Sequence, residues 1–155
     1  MTTVAYRDGV MAADTMVSAG DILRGETSKL WRMADGSLLG LCGQAGFGDM
    51  IVAWLHGGAN YGERPVIPDD ANMWGLWVRP DGTVYAMSSR LVLAPVEATF
   101  HAIGSGNELA LGAMAMGASA EEAVEVAARF DLYTGGRIDK IALPTSSPRN
   151  LRKPS

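Results

Sequence analysis

The chain has 155 residues, 48% hydrophobic and 19% charged, which is enough apolar surface for one ordinary domain and too much for a disordered polymer. Its 19 glycines and lack of a sustained heptad exclude a coiled coil, and a net charge of −4 offers no basic face to nucleic acid or an anionic membrane. The single cysteine, Cys42, can form neither an internal disulfide nor a cysteine metal cluster, and no apolar stretch approaches the ~20 residues that cross a bilayer. The opening residues MTTVAYRDG contain neither a basic nor an apolar segment, so a soluble cytoplasmic protein without a secretory leader is expected.

In chain order, the first signal is Asp8-Gly9 between two β-favouring runs. Asp-Gly suits the type I′ turn, whose central residues both take positive φ, and this predicts a hairpin of residues 2–7 with 10–13. The same dipeptide at Asp35-Gly36 predicts pairing of 29–33 with 37–42, and at Asp81-Gly82 pairing of 73–78 with 83–87. Between these hairpins, apolar residues at 47, 50, 51, 54 and 55 give the helical period over 47–56, stopped by Gly57-Gly58, and 57–70 reads as a surface loop. A strand is expected over 99–103. A helix over 107–116 follows, with Leu109, Ala113 and Met116 on one side and much of its surface buried. Ser119-x-x-Glu122 is a capping box opening a helix over 119–129, with Ala120, Ala123, Val124 and Ala127 on one face. A last strand over 137–143 precedes a tail, 144–155, that holds three prolines with Arg149, Arg152 and Lys153 and is expected to be mobile. Helices bracketed by hairpins, without βαβ alternation, indicate an α+β protein with antiparallel sheets. The methionines, Met50 and Met116 among them, read as core gap-fillers, and Trp54, Trp74 and Trp77 as core by default.

The residues able to carry chemistry are spread along the chain. Removal of Met1 is expected because Thr2 is small, and it would leave a threonine with a free α-amine. A hydroxyl alone is a poor nucleophile at neutral pH. An α-amine titrates near 7.7–8.0, so on the same residue it can accept the hydroxyl proton at little entropic cost. Asp14 ends the second strand and Lys29 begins a later one; in one pocket, a charged Lys29 held by Asp14 would ease ionisation of the hydroxyl and favour a neutral amine. Gly43, where a strand runs toward a helix, can present an N–H to a developing oxyanion. Ser105 within Gly104-Ser105-Gly106, and Asp131 and Thr134 before Gly135-Gly136, carry short polar side chains on tight turns, suited to orienting an amine.

Each residue has a plainer reading. Thr2 alone reads as an edge-strand residue, Lys29 as a solvated strand end, Asp14 and Asp131 as turn caps, and Ser105 as a helix N-cap. Cys42 reads as a small buried apolar residue, since neither His56 nor His101 is placed to activate it, and two distant histidines make a metal site unsupported.

Their order decides between the readings. Thr2-Thr3-Val4, the segment from Gly9 to Asp14, Lys29, Gly43, Gly104-Ser105-Gly106 and Asp131…Thr134-Gly135-Gly136 occur in the order seen in proteasome β-subunits. The chain also resembles HslV, the peptidase subunit of a bacterial two-component protease; both are N-terminal-nucleophile hydrolases. The resemblance covers residues 2–143. It implies a four-layer αββα sandwich of two antiparallel sheets flanked by helices, and stacked rings enclosing a chamber. It also implies Thr2 as nucleophile and base, Asp14 and Lys29 as its tuning pair, and Gly43 as oxyanion donor. Ser105, Asp131 and Thr134 would hold the amine, with Leu41 and Ala45 lining the primary specificity pocket. The implied activity is threonine-type hydrolysis of peptides or unfolded proteins without a cofactor, with an ATP-dependent unfoldase as partner. The chain departs from the family in being shorter, in a tighter Thr2–Asp14 spacing, and in having Gln44 after Gly43 where a second glycine is common. Two alternatives stand beside this reading: a non-catalytic ring-forming subunit that keeps Met1, and a small-molecule amidase of the same superfamily.

Overall fold

A computed structural model describes residues 1–145; residues 146–155, most of the tail expected to be mobile, lie outside the described residues. The first sheet is antiparallel, in the order β10-β1-β2-β11, built from β1 (Thr3–Arg7), β2 (Val10–Asp14), β10 (Phe100–Gly104) and β11 (Ile138–Ala142). The second, also antiparallel, runs β5 (Leu30–Arg32), β6 (Leu38–Cys42), β7 (Trp74–Val78), β8 (Val84–Met87), β9 (Leu93–Val96). A separate two-stranded hairpin is formed by β3 (Met16–Ala19) and β4 (Ile22–Glu26). The helices are α1 (Gly48–His56), α2 (Asn107–Ala115) and α3 (Ala120–Phe130). The expectation of an α+β protein with antiparallel sheets agrees with this arrangement.

Strand alternation divides the apolar side chains among three clusters. Val4, Tyr6 and Met11 of the first sheet meet Leu30, Leu38, Leu76 and Val78 of the second. Ala5, Ala12 and Ala102, on the opposite face of the first sheet, take Ala110 and Met114 of α2 with Ala123 and Val124 of α3. The small residues on the strands let both helices approach closely. Leu39, Leu41 and Trp77, on the far face of the second sheet, pack with Ile51, Trp54 and Leu55 of α1.

Several local expectations are met and several need correction. Ser119 caps α3 by accepting the Glu122 N–H, as the capping box predicts. All three Asp-Gly pairs turn hairpins, but only Asp8-Gly9 has positive φ at both residues (51° and 79°). At the other two, Met33 N–H donates to Ser37 O and Arg79 N–H to Thr83 O. Only the glycine is left-handed there, Gly36 at 89° and Gly82 at 88°. These are the longer loops built on a type I turn, which Pro80 at its second position favours. Along α2 the fully buried residues are Ala110 and Met114, one turn apart; of the face expected from sequence, Ala113 packs partly buried beside them and Leu109 is half-buried, whereas Met116 follows the helix end and is 90% exposed. Met50 is likewise exposed, because α1 turns Ile51 and Leu55 inward instead. Trp54 and Trp77 are core, whereas Trp74 is 49% exposed. The β3–β4 hairpin and edge strand β9 carry no Asp-Gly and were not anticipated; β3–β4 turns through Gly20-Asp21, and β9 contains Pro95.

Candidate active site

The start of the chain is held at the end of the gap between the two sheets. Thr2 is 3% exposed and its carbonyl accepts the Ser105 N–H at 2.8 Å. Thr3 pairs with Gly104 across β1 and β10, and Gly104 has φ +97°. A side chain at 104 would strike the Thr2 carbonyl, so only glycine lets residue 2 lie against this turn. Alternation along the strand then gives adjacent threonines opposite faces. Thr2 lines the inter-sheet end with Cys42 and Gly43, while Thr3 turns with Ala5 toward the helices.

Behind this start lies a buried ion pair. The Lys29 ammonium bonds Asp14 Oδ1 at 3.0 Å and the Met16 carbonyl at 2.8 Å, with Lys29 8% exposed and Asp14 wholly buried. Asp14 Oδ1 also accepts the Thr3 N–H at 3.0 Å, and Oδ2 accepts the Gly135 N–H at 3.0 Å. One carboxylate thereby links β2, the first residues of β1, the loop leading to β5 and the turn after α3. Burial lowers the Lys29 ammonium below its ordinary value; the charge and hydrogen bond of Asp14 oppose that shift without cancelling it.

A second polar group faces the same residues from the helix side. Asp131, the C-cap of α3, accepts the Ser105 hydroxyl at 2.6 Å and the Thr134 hydroxyl at 2.6 Å on Oδ2, and the Tyr133 N–H at 3.2 Å on Oδ1. Thr134 Oγ lies 2.7 Å from Thr3 Oγ. Thr134 has one hydroxyl proton and gives it to Asp131, so the Thr3 hydroxyl is the donor in that contact. Burial raises the Asp131 carboxyl, but the hydrogen bonds from Ser105, Thr134 and Tyr133, with the positive charge of the chain terminus, outweigh it and leave the group below the usual carboxylate range. The residues singled out by sequence thus form two carboxylate-centred clusters, Asp14 with Lys29 and Asp131 with Ser105 and Thr134. The backbone and side chain of Thr3 join them.

Thr2 opens onto a cavity of about 550 Å³ lined by Met1, Cys42, Gly43, Trp74, Ile103 and Ser105, with Asn72 and Asn107 at its polar parts. Gly43 has φ +115°, and a side chain there would meet the backbone of Ala71 and Asn72, so this turn too requires glycine. The Gln44 N–H donates to the Ala71 carbonyl at 2.9 Å and fixes the turn from behind. Leu41 is not brought to this cavity: it packs in the cluster beneath α1. Ala45 is exposed on the turn before α1 and does not line the cavity either. Cys42 is buried as expected, and burial pushes its thiol up to about 11. Sequence reasoning assigned no role to Thr3, Asn72, Trp74 or Asn107. Thr3 could have been found from alternation, as a polar residue on the same face as Ala5; the others come together only through pairing of β6 with β7 and of β1 with β10.

No protein-family model and no curated protein matches the chain. Solved structures do match. Thiobacillus denitrificans BPH is 21% identical, with a TM-score of 0.66 over 94% of this chain and 99% of that one. The same protein in complex with epoxomicin gives a TM-score of 0.67 at 21% identity and the same coverage. Eukaryotic HslV from Trypanosoma brucei gives a TM-score of 0.67 at 16% identity, over 90% of this chain and 97% of that one. Alignment over nearly the whole of both partners leaves no large element unmatched, and the chain has an HslV-like fold of the proteasome β type.

Proposed function

We propose that the chain is a threonine endopeptidase that cleaves peptide bonds through an acyl-enzyme on Thr2. The observation that carries this reading is the pinning of the chain's start between the buried Lys29–Asp14 pair and the Asp131–Ser105–Thr134 cluster. A structural threonine on an edge strand needs neither. In this reading Met1 is removed, and the freed amine is held by Asp131 and Ser105.

The amine accepts the Thr2 hydroxyl proton as Oγ bonds to the substrate carbonyl carbon. Two of the three Lys29 ammonium protons go to Asp14 and Met16, leaving one for the forming alkoxide. The carbonyl electrons move onto oxygen, where the Gly43 N–H stabilises them. Collapse breaks the C–N bond, and the amine returns its proton to the leaving nitrogen. Water then gives a proton to the amine as its oxygen bonds to the ester carbonyl carbon; collapse breaks the C–Oγ bond, the amine returns that proton to Thr2 Oγ, and the acid is released. Asp131, Ser105 and Thr134 hold the amine throughout. No step calls for a metal or organic cofactor. Leu41 and Ala45, flanking Gly43 at two residues on either side, would shape the seat of the residue before the scissile bond once a neighbouring subunit closes it.

The same reading takes residues 1–143 as one domain stacked as a four-layer αββα sandwich and assembled into rings around a chamber. It takes peptides or unfolded proteins as substrates, an ATP-dependent unfoldase as partner, and the cytoplasm as location. No helix among the described residues is long and apolar enough to cross a membrane. The similar folds of Thiobacillus denitrificans BPH, also solved in complex with epoxomicin, and of Trypanosoma brucei HslV support it.

The test combines intact mass, imaging and turnover. The mature chain should lack one methionine, form hollow rings, and hydrolyse fluorogenic peptides with a hydrophobic residue before the reporter. Epoxomicin should block turnover and Thr2→Ala should abolish it. Rings that retain Met1 and cleave nothing would establish the non-catalytic subunit instead. Single particles that hydrolyse a small amide would establish the amidase.

A further inference from the structure

We infer that the cavity beside Thr2 seats the residue that follows the scissile bond and selects a large apolar side chain there, with Trp74 as the selecting wall. This deepens the peptidase reading and rests on it. Met1 is bonded to the Thr2 nitrogen and lines the cavity together with Thr2, so the cavity surrounds the space next to that nitrogen. In the mechanism the same nitrogen hands a proton to the leaving amine. The leaving group must therefore lie in the volume that Met1 marks. The acyl part of the substrate, anchored through its carbonyl at Gly43, lies on the other side of the bond.

The walls define what fits. Cys42 and Trp74 sit directly opposite one another across β6 and β7, and Ala102 and Ile103 close the far side from β10. Cys42 presents a neutral thiol at physiological pH, so this wall is apolar. Trp74 is 49% exposed, whereas Trp54 and Trp77, at 8% and 5%, are core; its indole is the large apolar surface that the fold leaves open at this mouth. Of the polar lining, Ser105 gives its hydroxyl proton to Asp131 and Asn107 gives one N–H to the Gly104 carbonyl, and Asn72, like Asn107, is a neutral amide. No charged side chain among the described residues lines the cavity to pair with a charged residue of the substrate. A volume of about 550 Å³ falls within the usual range for ligand sites and holds a bulky side chain with part of the next residue.

Internally quenched peptides differing only in having Phe or Gly after the scissile bond test this directly, alongside calorimetric binding of Phe-Gly-Gly and Gly-Gly-Gly to the Thr2→Ala chain freed of Met1. The expected kcat/KM ratio is at least about tenfold in favour of Phe. Trp74→Ala should bring it near one and Trp74→Phe should restore most of it. Phe-Gly-Gly should bind the Thr2→Ala chain at least about tenfold tighter than Gly-Gly-Gly, with the difference lost in the Thr2→Ala/Trp74→Ala double variant. Peptide cleavage with equal ratios in the parent and Trp74→Ala overturns the inference and leaves the peptidase reading standing. Selective binding without any cleavage overturns the peptidase reading and leaves an apolar seat for a peptide's first residue. Equal binding without cleavage overturns both.

Discussion

Removing the charge from Lys29 while keeping its reach tests the arrangement on which the site depends. In Lys29→Met, the Asp14 carboxylate keeps the Thr3 and Gly135 N–H donors but loses its cation, and nothing in its wholly buried surroundings replaces it. Stranding one member of a buried pair costs about 3–5 kcal/mol, a large part of the ~5–15 kcal/mol that holds a domain together. The two remaining donors place the expected loss near the lower end, about 3 kcal/mol. With a urea m-value of about 2 kcal/mol per M, the unfolding midpoint falls by roughly 1.5 M. Asp14→Asn alone also destabilises, because its amide NH2 must face either the Lys29 ammonium or a backbone N–H. The double variant Lys29→Met/Asp14→Asn is neutral on both sides, and its amide oxygen can still accept the Thr3 N–H. It should therefore lose about 2–3 kcal/mol less than the sum of the two singles. Urea unfolding of all four proteins at pH 7, with identical m-values, measures that coupling. Additive losses, with a coupling near zero, would refute the claim that these charges are a buried, mutually dependent pair.

Other outcomes follow from the same geometry. Gly104→Ala places a methyl group against the Thr2 carbonyl at a positive φ, so it should cost more than about 2 kcal/mol and abolish turnover; a melting curve matching the parent would contradict the close approach. Thr3→Val removes one buried hydrogen bond and keeps the shape, and thermal unfolding should report about 1 kcal/mol. The Asp131 carboxyl is held below its usual range, so the stability it contributes is present above that range and is lost as pH falls through its folded value. Ser105→Ala removes one of the donors holding it down and should move acid unfolding to higher pH. Cys42 is pushed from 9.0 to about 11, so the native state keeps a proton that the unfolded chain gives up. Its contribution is intact below pH 9 and declines between 9 and 11. Relative to Cys42→Ala, the parent should lose about 3 kcal/mol across that window, and a constant difference would show the thiol to be solvated.

What the sequence discloses about the fold is what short-range physics writes into it. Asp8-Gly9 carries its own turn, Ser119 and Glu122 carry their own cap, and the alternation of small and large residues in β1 separates an alanine face from a Val4–Tyr6 face. Features stabilised by distant partners are less visible. The β3–β4 hairpin has little buried surface of its own. It is tied down at its base, where Glu26 accepts from Thr15 and from the Arg137 N–H, and no local pattern announces a bond to a residue so far along the chain. The end of α2 is not legible from side-chain size, because Met116 is as apolar as Met114 and differs only in following the last helical turn. The sheet below the helix sets Ala5, Ala12 and Ala102 at the centre of the cluster, with the larger Phe100 and Ile138 only partly buried, and these small residues admit Ala110 and Met114.

The site was legible for a different reason. Asp14, Lys29, Ser105, Asp131 and Thr134 each look ordinary, and only their order along the chain suggested a common place. The structure supplies the physical link, which is Thr3. Its N–H binds the carboxylate of one cluster and its hydroxyl donates into the other, and the Thr2 carbonyl accepts the Ser105 N–H, so residue 2 has both its neighbouring peptide and its carbonyl fixed by hydrogen bonds. A nucleophile that is also its own base gains little from a rigid side chain unless the backbone that carries both groups is rigid as well. Glycine at 104 and at 106, where a side chain would strike the Thr2 carbonyl and the Thr3 hydroxyl, serves that same end. The polar groups around Thr2 are thus better understood as a clamp on two consecutive residues than as separate contributors to a single hydroxyl.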